Sequence, residues 1–353
     1  MSEPRPSVVI VGPTSDESLE SCYARAFAAA GWQVHRWTPS SADAGVARGG
    51  AAGRLFARFV HVEAWRRKSG LELLRLVDGI RPRILLVIDT GGVRAGTLGQ
   101  IRVRCPETSI YCVYPDSPHN LDVERIAAFP MFDRVGTSSP AWVEIFRRLG
   151  APEPTYMPFA ADPSLHAPSA PNPAHRADLC FVGTWRPERE AFLETFADLD
   201  LRIWGSEYWR TRTRRGSPLR ERWAGRPLRG HELGSVCMST KIMLNVMDPA
   251  TWPGPNMRTF EQAACRAFSL TTRTPAVLEL FTEGVDIECF ADAAEARQKA
   301  ERYLADESAR VRIAQAGFDL VLSRHTYAQR VAALTAWSPS LPAGRSARTV
   351  AAH

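Results

Sequence analysis

Short apolar runs alternate with longer amphipathic stretches along most of this chain. SVVIVGP (7–13), RILLVID (83–89) and SIYCVY (109–114) are apolar and rich in β-branched residues, which is typical of buried strands. Residues 17–30 have the spacing of an amphipathic helix, and the strand–helix order continues to about residue 149. This order predicts an α/β fold in which helices cover both faces of a parallel sheet.

The same alternation starts again in the second half of the chain. The predicted strands there are DLCFVGT (178–184), LRIWGS (201–206), KIMLNV (241–246), FSLTT (268–272) and VDIECF (285–290), and HELGSVCMST (231–240) is predicted to be a helix. Residues 159–175 are rich in proline and alanine and have no sustained period, so we expect a linker there.

The resulting domain prediction has five parts. We expect an N-terminal Rossmann-like domain (1–158), the linker (159–175), a second Rossmann-like domain (176–325), a helix that returns toward the first domain (326–337), and a disordered tail (338–353).

Composition narrows the class of protein. The chain has 353 residues, 45% of them hydrophobic, which is enough for two cores. No apolar run approaches the ~20 residues of a membrane helix, and MSEPRPS (1–7) does not resemble a signal peptide, so we expect a soluble, cytoplasmic protein. The seven cysteines are scattered without a CxxC pair, so neither disulfides nor structural zinc are expected.

The net charge of +6 raises the question of a polyanionic partner. Only residues 210–230 are densely basic, and no nucleic-acid recognition motif accompanies them. This segment is interpreted as a solvated basic loop, as an acceptor-facing or membrane-facing surface, or, least favourably, as a nucleic-acid contact. No nucleic-acid partner is expected.

The richest candidate for binding chemistry is GPNMRTFEQAACRAFSLTTRTP (254–275). Asn256 can cap a helix that starts at Met257, and a helix N-terminus binds anions. Arg258 in the first turn can grip a diphosphate, and Glu261 can accept hydrogen bonds from paired sugar hydroxyls such as those of a ribose. The alternatives are that Asn256 is only a cap and that Glu261 only offsets the helix dipole.

Further candidate residues precede and follow this segment. In the first strand-to-helix turn of the second half, small residues and arginines suit a diphosphate, although the arginines also fit a charged helix face. Lys241 precedes the strand IMLNV, Asn245 lies within it, and Thr272 ends the strand SLTT. The predicted ligand-binding residues of this group are Gly183, Thr184, Arg186, Arg189, Lys241, Asn245 and Thr272.

In the first half, Asp116 and His119 lie close together after a predicted strand. They could take a proton from a substrate hydroxyl or position it, or Asp116 could form only a local turn. A DxD pattern at Asp198–Asp200 falls between a helix and a strand, so it is interpreted as a turn. No metal site and no cofactor are expected.

Several of these segments carry a family resemblance. Residues 254–275 resemble the C-terminal motif of the CgeB-like (spore-maturation type) glycosyltransferases, which are related to the family-4 retaining enzymes. Agreement extends to FVGTWRPERE (181–190), IWGSEYW (203–209), STKIMLNV (239–246) and QAGFDLVLSRHTY (315–327), and more loosely to YPDSP (114–118). Two positions depart from the family: Arg266 stands for a glycine, and Pro253 stands for the first glutamate of the family-4 pair.

The resemblance implies the GT-B fold, in which two Rossmann-like domains face each other across a cleft. It also implies that the second domain, through the ligand-binding residues predicted there, binds a nucleotide-sugar donor, and that the first domain binds the acceptor. Transfer to the acceptor is then expected to retain configuration. The acceptor could be a small molecule, a glycan or a protein. Two alternatives remain open: a nucleotide-sugar 2-epimerase of the same fold, and a non-catalytic sugar-nucleotide-binding protein.

Overall fold

The computed structural model describes residues 5–39, 62–89 and 92–337. These residues form two compact units. The first contains the described residues up to Thr137, then Trp142–Tyr156 and the residues from Arg330 onward, whereas the second contains Ser138–Ala141 and Met157–Gln329. The predicted disordered tail (338–353) lies outside the described residues, and the predicted domain and linker boundaries stay predictions.

The first unit is built on a six-stranded sheet with the order β2-β1-β3-β4-β5-β6. All five strand pairs are parallel. The strands are β1 (Ser7–Val11), β2 (Gln33–Trp37), β3 (Ile84–Ile88), β4 (Ser109–Tyr114), β5 (Arg134–Thr137) and β6 (Thr155–Tyr156). The helices are α1 (Leu19–Ala29), α2 (Val62–Ile80), α3 (Ala95–Arg104), α4 (Val123–Ala128), α5 (Val143–Arg148) and, in its later part, α14 (Tyr327–Trp337).

The central strands of this sheet are apolar because both of their faces are covered. All five residues of β3 are buried. On one face, Tyr114 packs with Phe129 and Phe146, whose ring centroids are 6.4 and 5.5 Å away. At the far end of α14, Trp337 meets the ring of Tyr111 edge-on at 5.5 Å. A covered sheet of this kind leaves its strand ends as the places where polar side chains reach solvent.

The second unit has a five-stranded parallel sheet with the order β11-β10-β9-β7-β8. Its strands are β7 (Ala177–Val182), β8 (Leu201–Trp204), β9 (Thr240–Asn245), β10 (Ser269–Thr272) and β11 (Glu288–Phe290). Its helices are α6 (Pro187–Glu194), α7 (Tyr208–Thr211), α8 (Leu219–Arg222), α9 (Leu233–Ser239), α10 (Met257–Ala264), α11 (Pro275–Leu278), α12 (Ala293–Ala305), α13 (Glu307–Arg324) and the start of α14.

One apolar cluster of this unit fixes the position of α10. Phe260 of α10 is fully buried among residues that include Ala161, Phe281 and Val321. Ala161 belongs to the segment predicted to be a linker. This part of the proline-rich stretch is therefore packed into the second unit, next to α10.

The predicted α/β fold with two parallel sheets is confirmed, and the differences concern element ends. The helix predicted at 231–240 is a 3-10 turn (Gly230–Glu232) followed by α9, and Thr240 already belongs to β9. The strand predicted at 285–290 begins only at Glu288, because the backbone N–H groups of Val285 and Asp286 bond to the carbonyl of Thr282 in a turn. None of the helices in the described ranges combines the length and apolar character that crossing a membrane requires.

Candidate functional site

The carboxyl ends of β7, β9 and β10 gather most of the predicted residues of the second unit. These strands are parallel neighbours, so their carboxyl ends lie at one edge of the sheet. Gly183 follows β7, Asn245 ends β9 and Thr272 ends β10. In open parallel sheets this edge is where ligands bind.

A pair of asparagine side chains joins β9 to the start of α10. The Asn245 amide nitrogen donates to Asn256 Oδ1 at 3.1 Å, and the Asn256 amide nitrogen donates back to Asn245 Oδ1 at 2.8 Å. Asn256 Oδ1 also accepts from the backbone N–H of Thr259 at 3.2 Å, which is an N-cap. Both amides are therefore engaged within the protein, and their role here is to position the N-terminus of α10.

Thr272 adds a second tie at the same edge. Its hydroxyl accepts from the backbone N–H of Met247 at 3.1 Å. Met247 lies in the loop that leaves β9 toward α10. Thr272 thus holds the first residues of this loop against the end of β10.

Glu261 occupies the inner side of α10 and is only 8% exposed. Its Oε2 atom accepts a hydrogen bond from Nη1 of Arg258, one turn earlier. Its Oε1 atom lies 3.6 Å from Nε2 of His166. Arg258 and Glu261 are thus together as predicted, but the guanidinium contacts the carboxylate as well as lying in the first turn of the helix.

His166 is not among the predicted site residues. It lies in the predicted linker, and nothing in the local pattern FAADPSLHAPS distinguishes it from a histidine in a solvated segment. Its side chain is buried, and packing between segments distant in sequence brings it to Glu261.

The two arginines after β7 differ in their environments. Arg189 donates to the carbonyl oxygens of Val246 at 3.1 Å and Thr184 at 3.0 Å, and it lies over the Phe181 ring. Burial lowers the pKa of this guanidinium. Arg189 therefore ties two loops together, which supports the structural interpretation of this residue.

Arg186 is more accessible. Its Nε atom donates to Oδ2 of Asp248 at 2.9 Å, and its side chain is 56% exposed. Asp248 lies in the loop after β9, so Arg186 joins the same two loops from the solvent side. It is the arginine of this pair that a ligand can reach at this edge.

Gly183 lies in a closely packed turn. A Cβ atom at this position would lie 2.8 Å from Cζ of Phe181. Its carbonyl oxygen accepts a hydrogen bond from Nε1 of Trp209 at 2.9 Å, and a Cβ on the neighbouring Gly205 would approach the same oxygen to 2.2 Å. Thr184 follows it and is exposed, and its carbonyl is the one held by Arg189.

Lys241 is not brought to this site. It lies at the amino end of β9, and its Nζ is 2.7 Å from Oδ1 of Asp178 at the start of β7. Asn245 is four residues further along the strand, or roughly 13 Å at about 3.3 Å per residue. A residue that opens a parallel strand lies at the opposite edge of the sheet from one that ends it, so the structure does not bring Lys241 together with the other residues predicted to bind the donor.

Asp116 and His119 lie together in the first unit, in the loop after β4. Asp116 accepts from the backbone N–H of Ser117 and from the amide of Asn120, both at 2.7 Å. Nδ1 of His119 lies 3.0 Å from the Ser117 hydroxyl. Asp116 thus forms the local turn that was the alternative interpretation, yet both it and His119 are exposed to solvent.

Several arginines of the basic segment 210–230 contact acidic or aromatic side chains of the protein itself. Arg214 pairs with Glu194 at 2.6 Å, and Arg226 pairs with Glu232 at 2.7 Å. The guanidinium of Arg212 lies 4.1 Å above the Tyr208 ring. These contacts favour the solvated-loop interpretation.

The DxD pattern has a structural partner. Asp198 Oδ2 accepts from Nη2 of Arg297 on α12 at 2.8 Å. This ion pair anchors the turn between α6 and β8, as expected of a structural aspartate.

Comparison with solved structures shows the GT-B fold. Sucrose-phosphate synthase from Thermosynechococcus elongatus superposes with a TM-score of 0.68 at 14% identity, covering 94% of this chain and 98% of that one. HepE of Anabaena, solved with UDP and glucose, has a TM-score of 0.64 at 10% identity, covering 94% and 100%. A protein from Listeria monocytogenes assigned as a UDP-N-acetylglucosamine 2-epimerase has a TM-score of 0.60 at 11% identity, covering 94% and 96%.

At the level of sequence, residues 186–336 match the family model described as glycosyl transferase-like. This region contains the carboxyl-edge residues after Gly183 and Thr184, and all of α10. No curated protein sequence matches the chain.

Proposed function

We propose that this protein is a glycosyltransferase that moves a sugar from a nucleoside-diphosphate donor to an acceptor. The observation that carries the proposal is Glu261, a buried carboxylate on the inner side of α10, close to the carboxyl edge of the second sheet. A carboxylate in this place is suited to paired hydroxyls of a ribose, because it can accept two hydrogen bonds at once. The family match over residues 186–336 supports this assignment.

The diphosphate would be bound by the start of α10 and by Arg186. The unpaired backbone N–H groups of the first helical turn attract anions, and Asn256 and Asn245 hold that turn in place. Arg186 can neutralise charge on the departing diphosphate because its guanidinium is partly exposed. Gly183 and Thr184 let the backbone of the first turn approach the ligand.

The acceptor half of the reaction is assigned to the first unit. Asp116 and His119 are the exposed acid and imidazole at a strand end there, and either can position an acceptor hydroxyl. We propose that the transfer retains configuration, as the resemblance to the family-4 enzymes implies, and that Arg186 and the start of α10 offset the diphosphate charge without a metal ion. HepE was solved with UDP-glucose, so UDP-sugars are the first donors to test.

Calorimetry tests the proposal directly. UDP-, GDP- and dTDP-sugars are titrated into the wild type, Glu261→Gln and the control Glu301→Gln, whose carboxylate is exposed on α12. Glu261→Gln is expected to bind the nucleotide about 10- to 100-fold more weakly, the equivalent of a charged hydrogen bond of about 1.5–3 kcal/mol. Unchanged affinity in a folded Glu261→Gln protein would contradict the ribose assignment.

A nucleotide-sugar 2-epimerase is the second candidate function, because the Listeria protein assigned as such an epimerase has a similar fold. The two activities separate cleanly in one assay. An epimerase converts UDP-GlcNAc to its C2 epimer with no acceptor present, whereas a transferase needs an acceptor to consume the donor by transfer.

A further inference from the structure

Contacts made by Ala161 hold the segment that contains His166 next to α10. Ala161 is buried in the apolar cluster that also contains Phe260 of α10. The backbone N–H of Ala161 donates to the carbonyl of His325 at 2.9 Å, and the N–H of Tyr327 donates to the carbonyl of Ala161 at 3.0 Å. The position of the segment relative to α10 is therefore set by the fold of the second unit.

A tight turn then sets the orientation of the imidazole. Asp162 accepts from the backbone N–H and the hydroxyl of Ser164 at 3.0 and 2.6 Å, and its carbonyl accepts from the N–H of His166 at 2.7 Å. The backbone N–H of Asp162 points at Nδ1 of His166 at 3.2 Å. A backbone N–H can only donate, so Nδ1 accepts, and the neutral ring carries its proton on Nε2.

That Nε2–H group faces Glu261. The distance of 3.6 Å to Oε1 is longer than a hydrogen bond, so the contact is electrostatic. Arg258 holds the other oxygen, Oε2. The two carboxylate oxygens of Glu261 therefore have different neighbours, a guanidinium on one side and an imidazole N–H on the other.

We propose that His166 is a positioning residue for Glu261, and that its Nε2–H group keeps the carboxylate aimed at the ribose hydroxyls of the donor. Without this N–H, the carboxylate is free to rotate toward Arg258 and form a two-pronged pair with its guanidinium. That geometry uses both oxygens and leaves fewer lone pairs for the ribose. The inference rests on the proposed function, because it assigns His166 a role through the nucleotide-binding carboxylate.

Two substitutions separate this role from a role in the turn. His166→Asn places a carbonyl oxygen near the former Nδ1, so it can still accept from the N–H of Asp162, but nothing reaches Glu261. His166→Gln places an amide N–H near the former Nε2 and gives up the Nδ1 acceptor. If His166 positions Glu261, His166→Asn should weaken nucleotide binding about tenfold, and His166→Gln should bind nucleotide nearly as well as the wild type. If His166 acts only in the turn, His166→Gln should bind nucleotide more weakly than His166→Asn.

The affinities are measured by calorimetry with UDP as the probe, and thermal unfolding of each variant checks that it is folded. The same His166→Asn change on a Glu261→Gln background is expected to cause little further loss, because the group it positions has lost its charge. His175→Asn is the matched control: His175 is also buried in the second unit, where its Nδ1 lies 3.2 Å from the Ser235 hydroxyl, and its change should leave UDP affinity unaltered.

Each outcome decides a specific point. The inference is supported if the wild type binds UDP, His166→Asn binds it more weakly and His166→Gln binds it nearly as well as the wild type. It also requires that His166→Asn causes little further loss on the Glu261→Gln background. If Glu261→Gln weakens binding but His166→Asn does not, or if the loss persists undiminished on the Glu261→Gln background, the inference is overturned and the proposed function stands. If the wild type binds none of UDP, GDP and dTDP or their sugars, the proposed function fails and the inference fails with it.

Discussion

Replacing Glu283 by glutamine is expected to destabilise the second unit at neutral pH but not in strong acid. Glu283 lies between two cations: its Oε1 atom is 2.6 Å from Nη2 of Arg273 and 2.7 Å from Nζ of Lys299. Hydrogen bonding to Arg273, aided by Lys299, lowers the pKa of Glu283 from 4.5 to about 2. The ionised carboxylate is therefore favoured by folding.

The size of the effect follows from this pKa difference. A fall from 4.5 to about 2 corresponds to an upper limit of about 3 kcal/mol in the free energy of unfolding. The Glu283 side chain is 27% exposed, and solvent screening reduces this to about 1–2 kcal/mol. Removing the charge leaves no isolated cation, because Arg273 keeps Glu295 and Lys299 keeps Glu288.

The direction with pH is fixed by linkage. Above pH 4.5 the carboxylate is ionised in both the folded and the unfolded chain, so its stabilisation is fully present. As the pH falls from 4.5 toward about 2, the unfolded chain takes up the proton first, and the stabilisation is lost. The stability difference between wild type and variant should shrink to about zero over this range.

Urea unfolding followed by tryptophan fluorescence measures this difference at a series of pH values. Glu301→Gln is the control, because its carboxylate is paired with Arg297 at 2.7 Å but is 56% exposed, and its loss should change stability by less than about 0.5 kcal/mol. A Glu283→Gln difference that stayed constant from neutral pH to about pH 2.5 would refute the reasoning, since it would not depend on the charge.

Three further outcomes are expected. Gly205→Ala should destabilise the second unit by about 1–3 kcal/mol, since its Cβ would lie 2.2 Å from the Gly183 carbonyl and 2.7 Å from Trp209. Gly79→Ala, in α2 of the first unit with nothing within 4 Å of its Cβ, should not lower the unfolding midpoint, and equal midpoints for the two variants would contradict this. Asp116→Asn should reduce sugar transfer while nucleotide affinity measured by calorimetry stays near the wild type; loss of that affinity in a folded variant would reverse the assignment of the units. Transfer should survive excess EDTA, and activity that disappears on chelation and returns with manganese or magnesium would show that a metal takes part.

The sequence predicted features that depend on local order along the chain. The cap at Asn256, the helix that follows it, and the placement of Arg258 and Glu261 one turn apart all arise from neighbouring residues. Repeated strand–helix alternation likewise predicts a parallel sheet with helices on both faces. The strands are short apolar runs, so both faces of the sheet must be covered, and the helices between the strands can cover them.

Features that depend on direction or on distant contacts were harder to predict. The pattern places Lys241 before an apolar run and Asn245 within it, but closeness in sequence does not show that the two ends of a parallel strand lie at opposite edges of the sheet. His166 was missed because its partner is contributed by α10, and only the packing of Ala161 against Phe260 brings the two together. The roles of Arg189 and Asp116 in loop and turn structure also become visible only through the carbonyl and amide groups they contact.

The reciprocal amide pair between Asn245 and Asn256 holds together the two ends of the loop that connects β9 to α10. Asn245 and Asn256 flank residues 246–255 and bond to each other, so we expect the first turn of α10 to keep its position when the middle of this loop changes. Exchanging residues 248–254 for a loop of different sequence should then change what this segment contacts and leave α10 in place. The same amide pair also explains how a chain with Pro253 in place of an acidic residue can keep the start of α10 intact.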